Sequence, residues 1–250
     1  MDRILLIILL VAHSLLTALL FRRRAYRSFT FFVGYQVYST LATAARLLVS
    51  SHSEGYFWVF WGTELGFLVL AIAASNEVFV RVFYGFYRLP WFRWFYFGGI
   101  GITLAIVGIN MLLYAPVKVH PFVGRILRFG IVINGIQAAI FALFFLLVKV
   151  LDIEFRRYPF GIALGLGIAS VGTLIPYVAR SIFGTELENF ILYAPTVTYF
   201  MSLLVWLSAF LKSEPEDDAM NPPMRPEEMA EEVGQYVAVL KGFFGKKEVR

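Results

Sequence analysis

The chain has 250 residues, of which 59% are apolar and only 16% charged, with a mean hydropathy of +0.72 and a net charge of +5. Ordinary globular chains are about 45–50% apolar and about 25% charged, so a water-soluble domain is excluded. There is no cysteine, which excludes disulfides, thiolate metal sites and thiol catalysis.

Seven apolar runs separated by short loops fill residues 3–211. They are continuous rather than alternating, which predicts membrane-spanning helices and not barrel strands. The first run covers residues 3–21 and carries His13 near its middle. Arg22, Arg23, Arg24 and Arg27 follow it as a stop-transfer cluster, so it is expected to be an uncleaved first helix. The second, 29–50, contains Gln36 and Arg46. The third, 56–80, contains Glu64 in the half opposite Asn76, Glu77 and Arg81. Glu77 and Arg81 stand four residues apart in the favourable order, which predicts a local ion pair. Contact of this group with the Arg22–Arg24 loop is the alternative.

The connection FYGFYRLPWFRWFY at 83–96 alternates Tyr84, Tyr87, Trp91 and Trp94 with Arg88 and Arg93. Rings and guanidinium groups so mixed suit the headgroup region, as an anchor or as a docking surface. The fourth run, 92–115, holds Asn110. The fifth, 121–149, holds Arg125 and Arg128 three residues apart on one face, then Asn134 and Gln137. The sixth, 159–182, holds Gly161, Gly165 and Gly167, which permit close helix approach, then Pro176, Tyr177 and Arg180. The seventh, 189–211, holds Tyr193, Pro195 and Thr196. The uncharged Gln36, Asn110, Asn134 and Gln137 are expected to join helices by hydrogen bonds.

After Lys212 the composition changes. Residues 213–225 form an acidic, proline-rich linker. In 226–250, Met229, Val233, Tyr236, Val237, Leu240, Phe243 and Phe244 recur at helical spacing, which predicts an amphipathic helix. It is expected to lie on the membrane surface, pack on the bundle, or dock on a protein partner through its Tyr236, Leu240, Phe243 and Phe244 face. Residues 1–212 carry 17 Lys and Arg against 8 Asp and Glu, and residues 213–250 carry 5 against 9. The basic excess is what loops facing anionic headgroups require, and no nucleic acid is implied.

Direction follows from Lys and Arg near the helix ends. The loops holding Arg22–Arg24, Arg27, Arg81, Arg88, Arg93, Lys149, Arg156, Arg157 and Lys212 carry eleven cations against six on the other side. The expected architecture is thus an all-α, seven-helix bundle with its N-terminus outside and its C-terminus inside. Count and direction look like those of rhodopsins and other seven-helix receptors, an analogy of architecture alone. A retinal Schiff base needs a lysine in the seventh run, and 189–211 has none. His52 and His120 lie near outer loops, so His13 lacks a partner for haem. No zinc motif, phosphate loop, nucleophile elbow or intramembrane aspartate pair occurs. No cofactor and no metal are expected, and the reading leans against an enzyme.

An ionisable group in the membrane is costly and points to function. Glu64 is expected to face Arg46, Arg125, Arg128 and Arg180, with Tyr177 and Tyr193 adding hydroxyls. This predicts an outward-facing pocket with surplus positive charge for a carboxylate, a phosphate or a lipid headgroup. The plain alternative is an interhelical Glu–Arg pair with the other arginines reaching outer headgroups. The first functional reading is therefore a sensor or receptor-like module that signals through the inner loops and tail. The second is an accessory subunit of a membrane assembly, docking through Tyr87, Trp91, Trp94 and the tail face. A membrane-embedded enzyme or transporter ranks last. A homo- or hetero-oligomer fits either of the first two. The compact chain with minimal loops points to a bacterial inner membrane.

Overall fold

In the computed structural model, the described residues are 3–49, 54–87, 89–113, 121–150, 153, 156–183 and 188–212. Every regular element among them is helical: α1 (Arg3–Arg22), a 3-10 turn (Ala25–Arg27), α2 (Thr30–Leu48), α3 (Glu54–Val82), α4 (Tyr84–Tyr87), α5 (Pro90–Leu113), α6 (Pro121–Val150), α7 (Arg157–Phe183) and α8 (Glu188–Leu211). The long helices begin and end within two residues of the apolar runs. Prolines open α5 and α6 at the first helical position, where the missing N–H has no partner to lose. Among the described residues, five helices are long and apolar enough to cross a membrane: Ile4–Arg22, Gly55–Val82, Arg128–Val150, Arg157–Ala179 and Tyr193–Leu211. The chain is a multi-pass membrane protein.

α3 packs against α2, α6 and α7, and α8 packs against α7 and α1, so the first and last helices meet. Buried aromatics fill the end of the bundle where α3 stops and α5 starts. Phe79 stacks on Tyr96 at 4.2 Å, and Phe144 lies edge-on to Phe83 at 5.5 Å and to Phe160 at 5.4 Å. Trp206 of α8 is fully buried, edge-on to Phe32 at 5.3 Å, and its Nε1–H donates to the Ile162 carbonyl at 3.3 Å.

Small residues on α7 admit this packing. A Cβ on Gly165 would occupy the Trp206 indole, and a Cβ on Gly161 would meet that of Ala209. The glycine pair read from the sequence is therefore the seam between α7 and α8. In lipid, where both faces of a helix are apolar, such close approach is a main source of helix association.

Candidate binding site

Arg46 lies in the last turn of α2 and Glu64 in the first half of α3. Antiparallel packing brings them to one level. Arg46 Nη2 meets Glu64 Oε2 at 3.2 Å, with the two side chains 12% and 18% exposed. Arg46 Nε–H donates to Thr63 Oγ1 at 2.7 Å, and Nη2–H also reaches the Phe60 carbonyl at 3.2 Å. The guanidinium lies over Phe60 at 4.5 Å and Phe67 at 5.3 Å. Phe60, Thr63, Glu64 and Phe67 share one face of α3 by their three- and four-residue spacing. That face is the signal by which sequence reasoning could have found the full set.

α7 supplies the third group, because the Tyr177 hydroxyl donates to Glu64 Oε1 at 2.9 Å. Its ring lies where a Cβ on Gly130 of α6 would stand, so that glycine lets Tyr177 reach the carboxylate. The Tyr38 hydroxyl donates to the Thr63 carbonyl at 3.0 Å. Among the described residues Glu64 therefore has one cation and one phenol as partners.

Of the arginines expected near Glu64, Arg46 is its partner. Arg128 is exposed, and the side chains of Arg125 and Arg180 lie outside those described. Tyr193 is 54% exposed on α8. Within the described residues Glu64 is paired with Arg46 and Tyr177.

A buried polar track runs deeper from this level. The Tyr35 hydroxyl donates to that of Tyr199 at 3.4 Å, which donates to Ser39 Oγ at 3.3 Å. The Tyr199 ring lies 5.3 Å from His13, and His13 Nδ1 lies 3.2 Å from Gln36 Oε1. His13 is thus hydrogen-bonded structure, as its place in mid-helix suggests. Gln36 Nε2 is buried with no hydrogen-bond partner among the described residues. Neither Tyr35 nor Tyr199 stood out in the sequence, since tyrosines are common in apolar runs. Elsewhere Gln137 joins α6 to α3 by donating to Ser75 Oγ at 3.1 Å, while Asn134 turns back on its own helix, to the Gly130 carbonyl at 2.8 Å.

The opposite end of the bundle is built from charges on backbone. Glu77 accepts the amides of Phe31 at 3.2 Å and Phe32 at 3.0 Å, so it caps the start of α2. The N-cap position of α2 is Phe29, which has no side chain to do so. The Arg81 guanidinium donates to the Ser28 carbonyl and lies over the Phe29 ring at 4.9 Å. The hydrogen bonds of Glu77 thus run to the first amides of α2 and that of Arg81 to the turn before it, while the two charges also attract each other. Arg23 donates to the carbonyls of Phe210 at 3.3 Å and Leu211 at 2.7 Å, and Arg157 to that of Ser208 at 3.0 Å. The Tyr158 hydroxyl donates to the Lys212 carbonyl at 3.2 Å. Two cations and a phenol close the C-terminus of α8, where the helix dipole is negative.

In the aromatic connection, Trp94 is 79% and Tyr84 52% exposed, whereas Tyr87 is half-buried against Tyr96 at 6.0 Å. The Trp91 side chain and Tyr236, Leu240, Phe243 and Phe244 lie outside those described.

No protein-family model, curated protein or solved structure matches this chain.

Proposed function

We propose that the chain is a seven-helix membrane protein, N-terminus outside and C-terminus inside, that binds a small anion or anionic headgroup at the Arg46–Glu64 level. The observation that carries this reading is the convergence of α2, α3 and α7 on one ion pair that is neither fully buried nor fully solvated. Glu64 serves as an internal anion for Arg46. A ligand carboxylate or phosphate competes for the same guanidinium, and Tyr177, freed from Glu64, offers it a second donor. Exchange of this kind shifts α7 relative to α3 and gives a sensor its two states. The basic loops favour this orientation, and the compact chain favours a bacterial inner membrane.

The test is thermal unfolding of the purified protein in phosphatidylcholine nanodiscs, with phosphate, small carboxylates or phosphatidylglycerol added. A ligand at 100 times its Kd stabilises by about 2.7 kcal/mol. Stabilisation in wild type that is lost in Arg46→Gln supports the reading. Absence of any shift, or a shift that persists in Arg46→Gln, overturns it.

A second reading, an accessory subunit of a membrane assembly, is favoured by Trp94, which stands 79% exposed beside the exposed Arg93. Its test is co-purification of a fixed partner from native membranes, lost in Trp94→Ala and on deletion of 226–250.

A further inference from the structure

Three close approaches fix the register of α7 against α8. A Cβ on Gly161 would meet Ala209, one on Gly165 would occupy the Trp206 indole, and one on Gly172 would occupy the Thr198 side chain. The two helices run antiparallel, so each step forward along α7 is a step back along α8. Carried one turn past Gly172, the register sets Pro176 opposite Ala194 and Pro195 opposite Ile175. Both helices therefore carry a proline at one level, just beyond the Gly172–Thr198 contact.

A proline inside a helix has no N–H to give and crowds the carbonyl four residues before it. Pro176 removes the amide that the Gly172 carbonyl would accept, and Pro195 removes the one for Ile191. A threonine on each helix adds to this. Thr173 Oγ1–H donates to the Ala169 carbonyl at 2.8 Å, and Thr198 Oγ1–H to the Ala194 carbonyl at 2.9 Å. Such bonds to the fourth residue back bend helices. On the Gly161 side of this level the seam is tight, and Trp206 donates across it to Ile162. On the other side Tyr177, the residue after Pro176, ties α7 to the bundle. Its hydroxyl donates to Glu64 and its ring lies against Gly130 of α6.

We propose that residues 176–183 of α7 and 188–195 of α8 swing as a pair about this level, latched by Tyr177 on Glu64, and so gate the Arg46–Glu64 site. The helix rises about 1.5 Å per residue, so Tyr177 stands ~7.5 Å beyond Gly172. A tilt of about 20° there carries Tyr177 by roughly 2.6 Å, which breaks a hydrogen bond. The same tilt carries Phe183, the last residue of α7, by roughly 6 Å. A hydrogen bond to a charged acceptor favours the latched state by a factor of about ten or more. As control of access to a ligand, the inference rests on the anion-binding reading; the hinge itself does not.

The chain lacks cysteine, so two introduced cysteines take spin labels without background. The experiment uses the full chain in phosphatidylcholine nanodiscs with no added anion, so its outcome is independent of ligand binding. Pulsed dipolar spectroscopy reads two distances from Leu48→Cys, at the exposed end of α2. One runs to Phe183→Cys, beyond the prolines, and the other to Leu164→Cys, on the exposed side of the tight seam. Tyr177→Phe keeps the ring against Gly130 and removes the latch. It should broaden the Phe183 distance, with a new component displaced by about 5 Å, and leave the Leu164 distance unchanged. Pro176→Ala with Pro195→Ala restores the two amides and should narrow the Phe183 distance again in the Tyr177→Phe background. No response to Tyr177→Phe overturns the proposal. So does an equal change at Leu164, because α7 then moves as one body. Broadening that persists with both alanines overturns it too, because the prolines are then not the hinge.

Discussion

Removing the Glu77 carboxylate should unfasten the start of α2. The first amides of a helix have no acceptor within it, and at α2 the residue in the capping position is Phe29. Glu77 substitutes from another helix with two bonds, at 3.2 and 3.0 Å. Hydrogen bonds to a charged group contribute about 1.5–3 kcal/mol each, and the helix dipole adds about 0.3–1 kcal/mol. Glu77 is half-buried, so the lower part of each range applies, and Glu77→Ala should cost about 3–5 kcal/mol. For a domain of 150–250 residues, each kcal/mol moves the midpoint by about 2–4 °C, so a fall of roughly 6–20 °C is expected. Glu77→Gln keeps one acceptor oxygen and loses the charge, so it should fall about halfway between wild type and alanine. The assay is thermal unfolding in dodecyl maltoside, combined with hydrogen exchange at the Phe31 and Phe32 amides. Those amides should lose protection in Glu77→Ala while amides in the middle of α2 keep theirs. An alanine variant within 2 °C of wild type, or uniform loss of protection along α2, would refute the reasoning.

Gly165→Ala should lower stability by about 1–3 kcal/mol through overpacking against Trp206, while the same change at Gly101, where a Cβ meets open space, should be neutral or slightly stabilising. Thermal unfolding of the two variants side by side checks this. Arg46→Ala should cost about 3–5 kcal/mol by leaving Glu64 unpaired, and Glu64→Gln in that background should recover part of it; denaturation in mixed micelles reads the difference. His13→Leu should strand the Gln36 amide and cost about 1–3 kcal/mol, yet His13→Leu with Gln36→Leu should be more stable than His13→Leu alone. A double-mutant cycle in the same micelles decides whether the two side chains act as a pair.

Helix positions were legible because continuous apolar runs have a direct physical cause, the thickness of hydrocarbon each must cross. Which way each helix faces was not. In water, an apolar stripe marks the buried side; in lipid, Val11 on the outside and Leu16 on the inside look alike in sequence. Of the expected arginines whose side chains are described, Arg46 reaches Glu64 and Arg128 is exposed; depth could not separate the two, since rotation about the helix axis decides which one reaches. Glu77 and Arg81 had spacing that satisfied a local rule, but bare backbone at the neighbouring turn lay closer to hand. The glycine pair of α7 was legible as a packing seam, but not its occupant, Trp206, which comes 41 residues after Gly165.

The closure of α8 by Arg23 has a consequence for biogenesis. The two partners are separated by 187 residues in one bond and 188 in the other. At a synthesis rate of about 5–20 residues per second, Arg23 enters the bilayer region roughly 10–40 s before its acceptors exist. Glu77 likewise trails the amides it caps by 45 and 46 residues. Both sides of the turn in the early hairpin therefore wait on later helices, and the first pair is inserted before it is fastened. A ribosome stalled before α8 emerges should leave Arg23 open to water-borne modification when it is replaced by cysteine, and release of the full chain should close it.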